Sequence, residues 1–152
     1  MNPLCQQDLG VWTKQANSPT FKYIGQFWKY LQRHKQRLAE DEILIAGDFN
    51  SNTQWDKWDR WWNHSDVVRE LEELHIKSLY HNHIGQAQGS ELQPTFYMYR
   101  KQERPYHIDY MFGSEMFYET IINFQIFQEG KWLEVSDHLP LQLNLNSTDL
   151  PQ

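Results

Sequence analysis

The run Ile43-Leu44-Ile45-Ala46-Gly47-Asp48-Phe49-Asn50-Ser51-Asn52 constrains this chain more than any other stretch. Charge precedes it and turn-forming residues follow it, so the short apolar run reads as a buried strand rather than a helix. Gly47 offers a turn free of a Cβ clash, and Asp48 and Asn50 stand where the strand ends. In open α/β sheets the ends of strands are where reactive side chains converge. Read alone, Asp48 and Asn50 are as well explained as turn residues bonding their own backbone. The rest of the chain decides between the two.

Length and composition narrow the classes. A chain of 152 residues fits one domain with a modest core, and 39% hydrophobic and 15% aromatic content is globular, not disordered. The formal net charge of -6 and pI near 5.6 argue against a protein that holds nucleic acid chiefly through phosphate contacts. Weak nucleic-acid binding, action through a metal, or another phosphate ester remain. Cys5 is the only cysteine, which excludes an intrachain disulfide and points to a reducing compartment. No apolar run is long enough to span a membrane, and residues 1–8 lack the features of a signal peptide. The expectation is a cytoplasmic protein with no membrane association.

In chain order, residues 9–13 read as a strand and 14–20 as a loop. Across residues 21–38, Ile24, Phe27, Trp28, Leu31 and Leu38 recur at helical spacing opposite Lys29, Arg33, Lys35 and Arg37, which predicts an amphipathic helix. Its basic end reads as a solvated face that suits the helix dipole. A Trp-rich segment carries Trp55, Trp58, Trp61 and Trp62 between charged residues. Such aromatics stack bases or anchor a loop by packing; Trp55 or Trp58 is the candidate pocket wall. Ser65-Asp66 caps a predicted helix to about residue 74, and residues 76–80 read as a strand. His81 and His83 could share a metal, but no nearby Cys or third His completes a zinc site, so they also read as a polar strand end. Residues 85–93 read as a flexible loop. Residues 95–99 and 107–112 read as a hairpin with a long turn, 114–118 as a helical turn, and 121–127 and 139–145 as strands.

Polar clusters thus stand at several strand ends: Asp48 with Asn50, Asp109, and Asp137 with His138. Gly47-Asp48-Phe49-Asn50, Thr95-Phe96 with Tyr99, Ile108-Asp109-Tyr110 and Ser136-Asp137-His138-Leu139-Pro140 form an ordered set. This set resembles the C-terminal part of the endonuclease/exonuclease/phosphatase superfamily, the DNase I-like phosphoesterases. The resemblance covers residues 11–146, with 1–10 and 147–152 as tails. It implies an α/β (α+β) fold, the C-terminal portion of a four-layer α/β/β/α sandwich with mostly antiparallel or mixed sheets flanked by helices.

The resemblance also implies metal-assisted hydrolysis of a phosphate ester, most simply a phosphodiester in nucleic acid. In that reading Asp48 positions or deprotonates water and Asn50 bonds the phosphate and orients Asp48. His138 stabilises the phosphate charge, and Asp109 fixes the tautomer and tilt of His138. Asp137 holds Mg²⁺ or Mn²⁺. Asn50, Thr95, Tyr99 and Trp55 form the substrate-binding set. The family's first half supplies an Asn and a Glu to the metal, and residues 1–10 cannot replace them. The chain alone is therefore expected to be a partial site, completed by self-association or a partner chain that covers an apolar sheet face. Alternative readings are a catalytically incomplete fragment, a binding module using the Trp segment and basic helix, or a phosphatase for a small or lipid-linked phosphate. His107 stands where the superfamily's abasic-site endonucleases carry Arg before Ile/Leu-Asp-Tyr, which weakens that assignment.

Overall fold

A computed structural model describes residues 23–146. The predicted strand at 9–13, the loop at 14–20 and both tails lie outside the described residues. The architecture is α+β, with helices α1 (Ile24–Glu40), α2 (His64–Glu72), α3 (Leu79–Ile84) and α4 (Glu115–Glu119). Strands are β1 (Leu44–Asp48), β2 (Lys77–Ser78), β3 (Phe96–Tyr97), β4 (Pro105–Tyr106), β5 (Asp109–Gly113), β6 (Ile121–Ile126) and β7 (Leu141–Leu145). They form three antiparallel sheets among the described residues, in the orders β1-β5-β2, β3-β4 and β6-β7.

The alternation of β5 organises the core. Tyr110 and Phe112 point to one face, where Phe49, Ile76 and the apolar stripes of α1 and α2 bury them. In α1 that stripe is Ile24, Phe27, Leu31 and Leu38, the helical spacing the sequence predicts. Lys35 pairs with Glu70 across the two helices. Met111 belongs to the opposite face, with Leu79, Tyr80, Phe124, Ile126 and Leu139. Because antiparallel partners share a face, Ala46 lies beside Met111, and Asp48 beside Asp109.

Several elements differ from the sequence expectation. The chain turns at Asn50, whose φ is 46°, while Gly47 sits inside β1 opposite Tyr110. Helix α2 begins at His64, because Asn63 donates its N–H to Asp66 and the Asp56 carboxylate accepts from the N–H groups of His64 and Ser65. The expected strand at 76–80 contracts to β2, and His81 and His83 ride on α3. The expected hairpin of 95–99 with 107–112 does not form as such. β3 pairs with β4, whereas β5 pairs with β1 and β2. Left-handed backbone at Tyr99 and Arg100 ends β3 early. Among the described residues no helix is long and apolar enough to cross a membrane.

Gly113 closes β5 where a Cβ would lie 2.6 Å from the Phe117 Cβ and 3.0 Å from a Leu79 methyl. Gly113→Ala should therefore lower the unfolding free energy by about 1–3 kcal/mol through overpacking. Gly130→Ala, whose Cβ meets nothing nearer than 4.0 Å, should stay within about 0.5 kcal/mol. Urea unfolding of both variants checks the contrast.

Candidate active site

The β1–β5 register brings the end of one strand to the start of the other, so that Asp48 faces Asp109. Beyond Asp48 the chain turns back on itself. The Asn50 N–H donates to Asp48 Oδ1 at 2.8 Å, and its side-chain amide donates to Oδ2. These bonds hold Asn50 in left-handed backbone, which Asn tolerates better than most residues. Phe49 is buried and its N–H donates to Ile108 O at 2.9 Å, which fastens the turn to the chain entering β5.

Asp109 reaches the other side of the site. Both its carboxylate oxygens lie 3.0 Å from His138 Nδ1. Thr95 is fully buried beneath it, and its Oγ1 accepts from the N–H groups of Ile108 and Asp109 while its hydroxyl bonds the Asp109 carboxylate. Burial raises the Asp109 carboxyl above its ordinary range. The bonds from Thr95 and His138 oppose that rise, and the Asp48 charge adds to it.

His138 arrives on a segment laid antiparallel against β3. Leu139 donates its N–H to Thr95 O at 2.7 Å, and Tyr97 donates to Asp137 O at 2.8 Å. Phe96 bridges His138 in register, and the two rings pack with centroids 4.6 Å apart. The ionised Asp109 is an acceptor, so Nδ1 carries the hydrogen and Nε2 is left for a ligand. Asp48, Asn50, Asp109 and His138 thus come together, with Thr95 supporting them from the interior. Asp137 adjoins them through the chain. Tyr99 stands apart on the β3–β4 connection, exposed, with the Arg104 guanidinium 5.8 Å from its ring centre. Trp55 packs beside Tyr106 and lines a depression of about 210 Å³ with Asn52, Glu91, Gln93 and Pro105. Trp58 is 97% exposed and walls nothing.

A second polar cluster lies under the site, and only the identity of its members was visible in the sequence. Glu91 projects inward from the loop at 85–93, its side chain 1% exposed. His81 Nε2 and the Gly89 N–H donate to Glu91 Oε1 at 2.9 and 2.8 Å, and Asn52 Nδ2 donates to Oε2 at 3.2 Å. Burial works to raise the Glu91 carboxyl, but these bonds outweigh it and hold the group at about 2. His81 also bonds Ser78 Oγ at 2.7 Å, so it is committed to this cluster and does not share a metal with the exposed His83. His107 is buried, with Nδ1 donating to Gln93 O at 2.8 Å. His64 is fully buried against Tyr110, with the Gln88 side chain as its hydrogen-bonding neighbour. Burial lowers its pKa from 6.5 to about 4. The signal for this cluster was a Glu in a polar loop and three His on unrelated segments, which no local pattern links.

A metal site would need oxygen ligands in a group. Among the described residues no three His, Cys, Asp or Glu side chains are placed to hold one. These residues do not fit a self-sufficient Mg²⁺ centre.

Comparison with known proteins finds the fold in solved structures. A 3′ phosphatase from Neisseria, the D146N variant of NExo bound to a product DNA hairpin, is similar at TM-score 0.59 and 17% identity. The 3′-5′ exonuclease NExo from Neisseria meningitidis is similar at TM-score 0.61 and 19% identity. In each case the match covers 86% of this chain and 56% of the other, so the chain spans about half the length of these structures. No protein-family model and no curated protein matches.

The buried His64 makes the fold acid-labile in a defined window. The unfolded chain takes up a proton below pH 6.5, whereas folded His64 resists until about pH 4. Stability should fall by something on the order of 3 kcal/mol across that interval, the equivalent of the lowered pKa. Urea unfolding from pH 7 to pH 4 should show this fall, and His64→Leu should remove His64's share of it and leave that of His107, whose pKa burial also lowers.

Proposed function

We propose that this chain carries the Asp48–Asn50 and Asp109–His138 part of a phosphoesterase site of the endonuclease/exonuclease/phosphatase superfamily, acting on phosphodiester or terminal phosphate groups of nucleic acid. The observation that carries the reading is the Asp109–His138 pair facing Asp48 across the β1–β5 register. The likeness of fold to a 3′-5′ exonuclease and 3′ phosphatase whose structure holds a DNA hairpin supports the substrate class.

In the proposed reaction a water attacks phosphorus and the bond from phosphorus to the leaving oxygen breaks. Asp48 accepts the proton of the attacking water, a task suited to an exposed carboxylate held in one orientation by Asn50. Asn50 turns its remaining polar edge to the phosphate. His138, protonated at Nε2, donates to a phosphate oxygen as negative charge builds there, and Asp109 stabilises the imidazolium. The proton taken up at Asp48 leaves to solvent, and the leaving oxygen is protonated from solvent. Thr95 acts by holding Asp109. Trp55, in the depression it shares with Tyr106 and Glu91, offers a flat face on which a base or sugar can pack.

A second reading follows from two observations. The described residues do not gather a metal site, and the chain spans about half the length of its structural neighbours. In this reading Mg²⁺ or Mn²⁺ is held with further oxygen ligands from outside the described residues, Asp137 contributing from this chain. A second copy or a partner chain is one such supplier. The surface fits that role, because among the described residues β1 pairs on one side only and Leu44 on it is 46% exposed. A strand added there would extend the β1-β5-β2 sheet.

The test is hydrolysis of a 3′-phosphorylated DNA hairpin and of a duplex with a recessed 3′ end, with Mg²⁺ and with a chelator. Metal-dependent turnover that falls at least about 100-fold in Asp48→Asn and in His138→Ala is the expected result for a working site. Turnover that both variants retain would remove the assignment of these residues. Turnover appearing only above a threshold protein concentration, together with a dimer in sedimentation, would favour the completed-site reading.

A further inference from the structure

The turn that carries Asn50 is stapled at both ends to adjacent carbonyls. Before Asn50, the Phe49 N–H donates to Ile108 O; after it, Asn52 Nδ2 lies 3.1 Å from His107 O. Asn52 is 5% exposed, and its Nδ2 also meets Tyr110 OH at 3.1 Å and Glu91 Oε2 at 3.2 Å. Its Oδ1 accepts from the Gln54 N–H at 3.0 Å. Every group near Nδ2 is an acceptor, which fixes the amide's orientation. Asn50 between the two staples has left-handed backbone, which Asn tolerates and its own bonds to Asp48 favour, so the staples act by fixing where that turn sits.

We infer that Glu91, which touches no reacting group in the proposed reaction, is a positioning residue that holds Asn50 in its site conformation through Asn52. The inference rests on the phosphoesterase reading for the consequence in catalysis, but not for the mechanical link. Glu91 is suited to the role because its two oxygens serve different masters. Oε1 takes His81 and the Gly89 N–H, and Oε2 takes Asn52. His81 in turn is bonded to Ser78 at the end of β2, so the carboxylate connects the Asn50 turn to the far edge of the β1-β5-β2 sheet. A glutamine at this position has one acceptor oxygen. Set against His81 and Gly89, it satisfies two donors and turns its NH₂ toward Asn52 Nδ2, donor against donor. Glu91→Gln therefore keeps the loop anchored and replaces the charged acceptor at Asn52 with a repelling donor, leaving only His107 O and Tyr110 OH to hold its amide.

The experiment is residue-resolved amide hydrogen exchange of the whole chain, with steady-state hydrolysis alongside. In Glu91→Gln the Asn50 amide should exchange at least about tenfold faster, while the core amides of Ile45 and Phe112 keep their rates. Asn52→Ser, whose hydroxyl is too short to reach Glu91, should give the same pattern and serves if Glu91→Gln does not fold. With an active protein, Glu91→Gln should lower kcat about tenfold with KM within about twofold, and should cost nothing further in an Asn50→Ala background. Unchanged Asn50 exchange, exchange rising equally at every core amide, or a full additional loss in Asn50→Ala would overturn the inference. An unaltered protein that hydrolyses no substrate would overturn the reading in which this chain works alone, and the exchange rates would still decide the link.

Discussion

The antiparallel pairing of β1 with β5 is the constraint on which the remainder depends. It sets Asp48 against Asp109 and, by the two-residue period of strands, puts Tyr110 and Phe112 on the helix-covered face. A slip of β1 by one residue would turn Asp48 to the face opposite Asp109, into the aromatic core, and separate the two carboxylates. The helices therefore do more than close a core. By burying Tyr110 and Phe112 they select the one register that presents Asp48 and Asp109 outward. His138 is added from a different direction, along β3, and meets Asp109 only because Thr95 bonds both the His138 segment and the start of β5.

The site also shows how buried polar groups are used in a small domain. Glu91 is ionised in the interior because three donors converge on it, and the resulting network ties the β1 turn to the loop at 85–93 and to α3. At His64 burial outweighs the Asp56 and Glu91 charges and the Gln88 side chain, and the ring stays neutral instead. The two groups answer the same problem of burial in opposite ways. Leu44 and the face beside Ala46 and Met111 remain open, so the carboxylates stand at the rim of a sheet face that this chain's described residues leave partly uncovered.

Much of this was legible in the sequence where the pattern was local. The α1 stripe, the apolar run ending at Asp48, and the alternation in β6 and β7 follow directly from spacing. Asp48, Asn50, Asp109 and His138 could be named as a set from their order along the chain, and the fold brings them together. Errors arose where tertiary contacts overrode local preference. Residues 95–99 and 107–112 carry strand-forming side chains, but left-handed backbone at Tyr99 and Arg100 and the competing edge of β1 separate them into different sheets. His81 looked like a strand-end polar residue because its partner, Glu91, lies in a loop ten residues on with no periodic signature. Gly47 attracted the turn that Asn50 makes, since Asn reaches left-handed backbone with help from a neighbouring carboxylate that only the fold reveals.

The central claim is that the β1–β5 register and the β3-bound segment deliver His138 to Asp109 in one tautomer, with Nδ1–H on the carboxylate and Nε2 directed to a ligand. The most direct measurement is the ¹⁵N spectrum of the His138 ring at pH 8, in the unaltered chain and in Asp109→Asn. The account predicts the Nδ1–H form in the first and a shift away from it in the second. An Nε2–H ring in the unaltered chain, unmoved by Asp109→Asn, would contradict it.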